Sequence, residues 1–281
     1  MNDFFHALLS QEFLQIALAG GLLASIACGV MGSYVVVKRM SFLAGGIAHT
    51  VLSGMGIAYF LNKSPIAGAV VAALVAAWVI GWVSLRWRQT SDTIIAALWS
   101  FGMAVGVVFI SKTPGYNVDL MSYLFGSILM IPRGALFIMA GLDGIIVLVV
   151  VLFYQQFLAV AFDEEFARLR GLPVDFLYLL LLTLVALTVV VLIQVVGLIL
   201  VIALLTLPAA IAAQYLRRLA PIMGLATLLG MVFTSGGLAL SYRPDLPSGA
   251  TIILVAGTAY FLSLLVSGLV RRWRVKKTNV A

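Results

Sequence analysis

Asp175-Phe176-Leu177-Tyr178-Leu179-Leu180-Leu181-Leu182-Thr183-Leu184-Val185-Ala186-Leu187-Thr188-Val189-Val190-Val191-Leu192-Ile193-Gln194-Val195-Val196-Gly197 opens on one charge and carries no other. Crossing the hydrocarbon core of a bilayer takes about 20 apolar residues in helical conformation. This stretch is long enough and too apolar for a water-facing surface. Reading outward from it, similar runs recur at 14–36, 42–61, 65–85, 93–111, 135–158, 199–216, 220–241 and 249–270, nine candidate spans in all. The run at 199–216 is short and contains Pro208, and it nearly joins the one before it.

Composition agrees with that reading. Hydrophobic residues make up 63% of the 281 residues, charged residues 10%, and the mean hydropathy is +1.17. A soluble domain carries about a quarter charged residues. The apolar runs continue from end to end, so residues 1–281 read as a single membrane domain. The first residues hold Asp3 and Glu12 and no basic residue, unlike the start of a cleavable signal peptide, so the first run is expected to stay as a helix.

A net charge of +7 could point to nucleic acid, but the basic residues sit in short clusters between the apolar runs. Nine crossings with the C-terminus inside place Lys38, Arg39, Arg86, Arg88, Arg168, Arg170, Arg217, Arg218, Arg271, Arg272, Arg274, Lys276 and Lys277 in the cytoplasm. Only Lys63, Lys112, Arg133 and Arg243 of the 17 basic residues then lie outside. That asymmetry follows the positive-inside rule, and one missed span would scramble it. The segment around 113–133 is too polar to span and is expected to lie in the outer interface or dip inward as a re-entrant element, with Asp119 capping a short helix.

His49 carries the most chemical information. It falls within Phe42-Leu43-Ala44-Gly45-Gly46-Ile47-Ala48-His49-Thr50-Val51-Leu52-Ser53-Gly54-Met55-Gly56. Gly45, Gly46 and Ser53 lie on or near its helix face, leaving room for a neighbouring helix or a pathway. A neutral imidazole at membrane depth suits a transition metal such as zinc. It equally suits a hydrogen bond between packed helices. Asp143, in Gly141-Leu142-Asp143-Gly144, is the other acidic residue well inside a span and a second metal-ligand candidate, unless the fifth helix starts later and leaves it near the outer interface. Cys28 is alone, so no intramolecular disulfide forms, and it reads as a small packing residue.

Asp163-Glu164-Glu165-Phe166-Ala167-Arg168-Leu169-Arg170-Gly171-Leu172-Pro173 reads as a short cytoplasmic helix. Asp163 caps it, two glutamates suit its N-terminus, and Gly171 and Pro173 end it. Glu164 and Arg168 are expected to pair at i,i+4, and Phe166 with Leu169 forms a small apolar face. Such a helix either rests on its own membrane domain or docks a cytoplasmic partner. No glycine precedes a lysine anywhere, which excludes a phosphate-binding loop, and no hydrolase or metalloprotease motif is present. The sequence therefore reads as a transporter and not an enzyme, and if ATP drives it, another chain binds the ATP.

Taken together, the segments resemble the permease subunits of ATP-binding-cassette importers for zinc, manganese and chelated iron. The resemblance runs through Gly32-Ser33-Tyr34-Val35-Val36-Val37-Lys38-Arg39-Met40-Ser41-Phe42-Leu43 and the His49 stretch. It continues in Asp92-Thr93, Pro114-Gly115-Tyr116-Asn117-Val118-Asp119-Leu120, Ser122-Tyr123-Leu124-Phe125-Gly126, Gln194-Val195-Val196-Gly197, Leu207-Pro208-Ala209-Ala210 and Leu246-Pro247-Ser248-Gly249-Ala250-Thr251. It implies an all-α membrane protein with the type II, vitamin B12-type permease fold in a bacterial or archaeal cytoplasmic membrane. It also implies a second copy of the chain, two ATPase subunits and an external metal-binding protein as partners. By the same resemblance, 163–171 is the coupling helix, so Glu164, Glu165, Arg168 and Gly171 would meet the ATPase, and His49 matches a metal-pathway histidine. Many relatives carry an Asp four residues before that histidine, where this chain has Gly45. Imidazole with little carboxylate favours zinc over manganese as cargo. The competing reading is a secondary transporter driven by protons or sodium, with His49 and Asp143 as coupling residues.

Overall fold

The computed structural model describes residues 7–87, 91–113, 128, 131–242, 244 and 246–278. Its elements are helices: α1 (Glu12–Val37), α2 (Ser41–Phe60), α3 (Pro65–Trp87), α4 (Ser91–Ser111), α5 (Arg133–Leu152), α6 (Tyr154–Phe162), α7 (Glu164–Leu169), α8 (Val174–Tyr215), α9 (Leu219–Tyr242) and α10 (Ser248–Thr278). Eight segments among the described residues are long and apolar enough to cross a membrane, and Val201–Tyr215 is a shorter apolar helix. These correspond to the nine expected runs. A helix in hydrocarbon satisfies its own backbone polar groups, which is why an apolar sequence settles into this form.

Two boundaries differ from the sequence reading. The fifth run, expected as one helix over 135–158, ends at Leu152, and Phe153 (φ −103, ψ 16) turns the chain into α6. No glycine or proline marks the break. The turn carries Phe157 and Val160 into the core, where the Phe157 ring meets Tyr34 edge-on at 5.8 Å. The sixth and seventh runs join in α8, a 42-residue element that is broken at Gly197 (φ 74, ψ 170). As one straight rod it would be about 63 Å long, twice the hydrocarbon core. Only glycine adopts that backbone conformation without strain. Most of the interfacial segment expected over 113–133, Asp119 included, lies outside the described residues.

The core is built on α1, which packs against α5, α8 and α9, while α2 packs against α3, α4 and α8. Small residues bring these axes close. A Cβ added to Gly54 would lie 2.1 Å from the Gly68 carbonyl oxygen, so α2 and α3 touch backbone to backbone. Cys28 sits in α1, 1% exposed. Glu12 pairs with Arg133 where α1 and α5 begin, and Lys38 pairs with Glu164 at the opposite end of α1. Arg133 and Lys38, which the distribution of basic residues assigns to opposite sides, thus lie at opposite ends of α1.

Candidate functional site

His49 lies in the middle of α2 and is 8% exposed. Its ring stacks on Trp99 of α4, with centroids 4.0 Å apart and planes 8° from parallel. The Trp99 indole N–H donates to Met103 Sδ at 3.2 Å, and the Phe42 ring lies 6.0 Å away. Nδ1 of His49 is buried and has no hydrogen-bond partner. The imidazole is thus held by a flat aromatic contact, and its Nδ1 makes no hydrogen bond.

The small residues around it are filled in by neighbours. A Cβ on Gly45 would stand 3.0 Å from Ile202 Cδ1 and 3.8 Å from the Trp99 ring; one on Gly46 would meet Ile95 Cγ2 at 2.3 Å. The room expected beside the imidazole is therefore occupied by α4 and by the part of α8 beyond Gly197. The half-buried Ser53 hydroxyl donates to the Thr50 carbonyl at 2.7 Å, and Thr50 donates to the Gly46 carbonyl at 2.8 Å. The Ser53 hydroxyl is held by the backbone of α2, while the Thr50 hydroxyl also reaches the Leu98 carbonyl of α4 at 3.3 Å.

Asp143 is 4% exposed on α5, and neither carboxylate oxygen has a hydrogen-bond partner. Since α5 packs on α1 and α8 rather than on α2, the structure does not bring His49 and Asp143 together. Among the described residues no three His, Cys, Asp or Glu side chains cluster. Trp99 is the residue that sequence reasoning overlooked. Its position seven after Asp92 on an apolar helix carries no polar signal, and only the fold places it against His49.

At the opposite end of α1, Asp163 caps α7 as expected, its Oδ1 accepting from the Phe166 N–H at 2.9 Å. Gly171 follows the helix with φ 77, the left-handed conformation favoured just beyond a helix C-terminus. The expected Glu164–Arg168 pair does not form. Glu164 instead accepts from Lys38 Nζ at 2.6 Å, and Arg168 pairs with Asp175 in the first turn of α8. An exposed i,i+4 pair is weak, and partners held in place by the fold outcompete it. Phe166 (46% exposed) and Leu169 (87% exposed) face outward, and the Arg170 guanidinium lies 4.7 Å from the Phe166 ring centroid. Glu165, also exposed, lies beside them.

Residues 10–267 match the ABC 3 transport family. The chain is 52% identical over 256 residues to an uncharacterized membrane protein of Synechocystis, covering 91% of each. It is 37% identical to a manganese transport system membrane protein, MntC, of Halalkalibacterium halodurans, covering 99% of this chain and 97% of the relative. Among solved structures it resembles PsaBC from Streptococcus pneumoniae in complex with Fab, with TM-score 0.85, 32% identity, and 93% and 94% of the two chains covered.

Proposed function

The chain belongs to the ABC 3 transport family, and from that premise we propose that it moves a divalent metal cation inward across the bacterial cytoplasmic membrane. As a permease subunit of an ATP-binding-cassette metal importer it is not catalytic, and the ATPase is a separate subunit. In the proposed assembly two copies of this chain meet two ATPase subunits, and an external binding protein delivers the ion. The observation that carries the metal reading is the imidazole of His49, buried in a membrane helix with Nδ1 unpartnered.

The packed surroundings support a closed pathway in which the ion reaches His49 only when α4 and α8 separate from α2. One imidazole without a neighbouring carboxylate binds weakly, and weak binding suits a site that must release its ion. Asp143 would then act on a different helix, at another point along the route or in packing.

Two cargoes compete. The relative named for manganese aligns over nearly the entire chain, which outweighs the preference of a single imidazole for zinc, so manganese is the leading cargo and zinc the second reading. In reconstituted transport with the ATPase and binding protein, manganese should outcompete zinc for uptake; the reverse ranking would establish zinc. His49→Ala should lower uptake of either ion at least about tenfold, the factor that 1.4 kcal/mol of lost interaction gives. Unchanged uptake would remove His49 from the pathway.

A further inference from the structure

Lys38 is unusual for a lysine at a helix end, because its side chain is only 8% exposed. Its ammonium donates to the Val160 carbonyl at 3.0 Å and to Glu164 Oε1 at 2.6 Å, and it lies 5.3 Å from the Tyr178 ring centroid. One side chain at the cytoplasmic end of α1 thus holds the last turn of α6, the first turn of α7 and the face of α8. The ammonium is thus held at once by a carboxylate, a carbonyl and an aromatic face. Surface topology alone does not require such an arrangement.

From Lys38 the packing continues inward to the candidate site. Six residues back along α1, a Cβ on Gly32 would lie 2.0 Å from the Leu205 carbonyl oxygen, so α1 is pressed against the backbone of α8 beyond its break. Ile202, three residues before Leu205 on the same limb, is the side chain that fills the space at Gly45, one turn from His49. Gly197 separates this limb from the rest of α8.

We propose that Lys38 is a positioning residue that converts displacement of α7 into displacement of α1 and the Val201–Tyr215 limb, and so opens or closes the His49 site. The proposal rests on α7 being the surface that docks the ATPase. When α7 moves, the short bonds to Glu164 and Val160 oblige the end of α1 to follow. Through Gly32 the motion reaches Leu205 and Ile202. Arg168 and Asp175 anchor the other end of α7 to the opposite limb of α8, so the two limbs are pulled from different points. A physically contiguous route of this kind is a claim of coupling only when the coupling itself is measured.

The experiment uses the full complex of permease, ATPase and binding protein in liposomes, with manganese(II) as the transported probe. Manganese moved per ATP hydrolysed is compared in wild type, Lys38→Met, Lys38→Glu, Glu164→Lys and the double exchange Lys38→Glu/Glu164→Lys. Lys38→Met should assemble and hydrolyse ATP within about twofold of wild type, yet move at least about fivefold less manganese per ATP, the lower range of site-to-site coupling. The double exchange should recover part of what each charge reversal loses, because a carboxylate at position 38 restores the ion pair but neither the bond to the Val160 carbonyl nor the contact with the Tyr178 ring. An unchanged ratio in Lys38→Met, a loss of ATPase retention in that variant, or no recovery in the double exchange would overturn the proposal. The docking premise is judged separately by ATPase retention in Leu169→Glu: undiminished retention there would overturn the premise and the proposal with it, whereas diminished retention with an unchanged Lys38→Met ratio would overturn the proposal alone.

Discussion

Gly45 is where the chemistry of the site can be rewritten. Placing a carboxylate four residues before His49 would set both groups on one face of α2, and the neighbour in the way is the terminal methyl of Ile202, 3.0 Å from the added Cβ. Gly45→Asp combined with Ile202→Ala should therefore fold, bind manganese about tenfold more tightly in detergent, and transport it more slowly because release is impeded. Binding by isotope retention and uptake in liposomes should move in opposite directions. Gly54→Ala poses a different problem, because the obstructing atom is a backbone carbonyl oxygen of α3. It should cost about 1–3 kcal/mol, seen as a lowered unfolding temperature, with His49 untouched. The sequence made His49 legible because an imidazole is rare in such an apolar run. Trp99 was not legible, since a tryptophan in a membrane helix usually faces lipid or packs, and stacking depends on how α2 and α4 approach.

At the scale of elements, α7 was readable almost residue by residue, because capping and termination are local. Asp163→Ala should remove the bond to the Phe166 N–H at about 1 kcal/mol, loosening α7 and reducing ATPase retention in co-purification. Leu169→Glu places charge on an exposed apolar side chain and should reduce retention by about tenfold if that side chain is an interface anchor. Its ion pairs were less legible. Lys38 lies 126 positions from Glu164, and no local rule joins residues that distant. The same limit explains the fifth run. An apolar helix and an apolar helix with a turn at Phe153 have the same composition, and the turn is set by where Phe157 must bury. Gly197 was visible as a glycine at the junction of two runs, but its positive φ was not.

For the whole molecule, periodicity mattered less than hydropathy and charge distribution, which together located nine apolar segments and both ends of α1. That succeeds because a bilayer leaves few alternatives to helices. The family assignment also yields a functional outcome: the chain alone in liposomes, under a proton or sodium gradient, should move no manganese. Uptake without ATPase would revive the secondary-transport reading in which His49 and Asp143 are coupling residues. One further outcome follows from the position of Cys28. It is the single thiol of the sequence and is 1% exposed within α1, so in this packed arrangement water-soluble alkylating agents should react with it slowly. A cysteine introduced at an exposed position of this chain should therefore be labelled in preference to the native one, without first removing it.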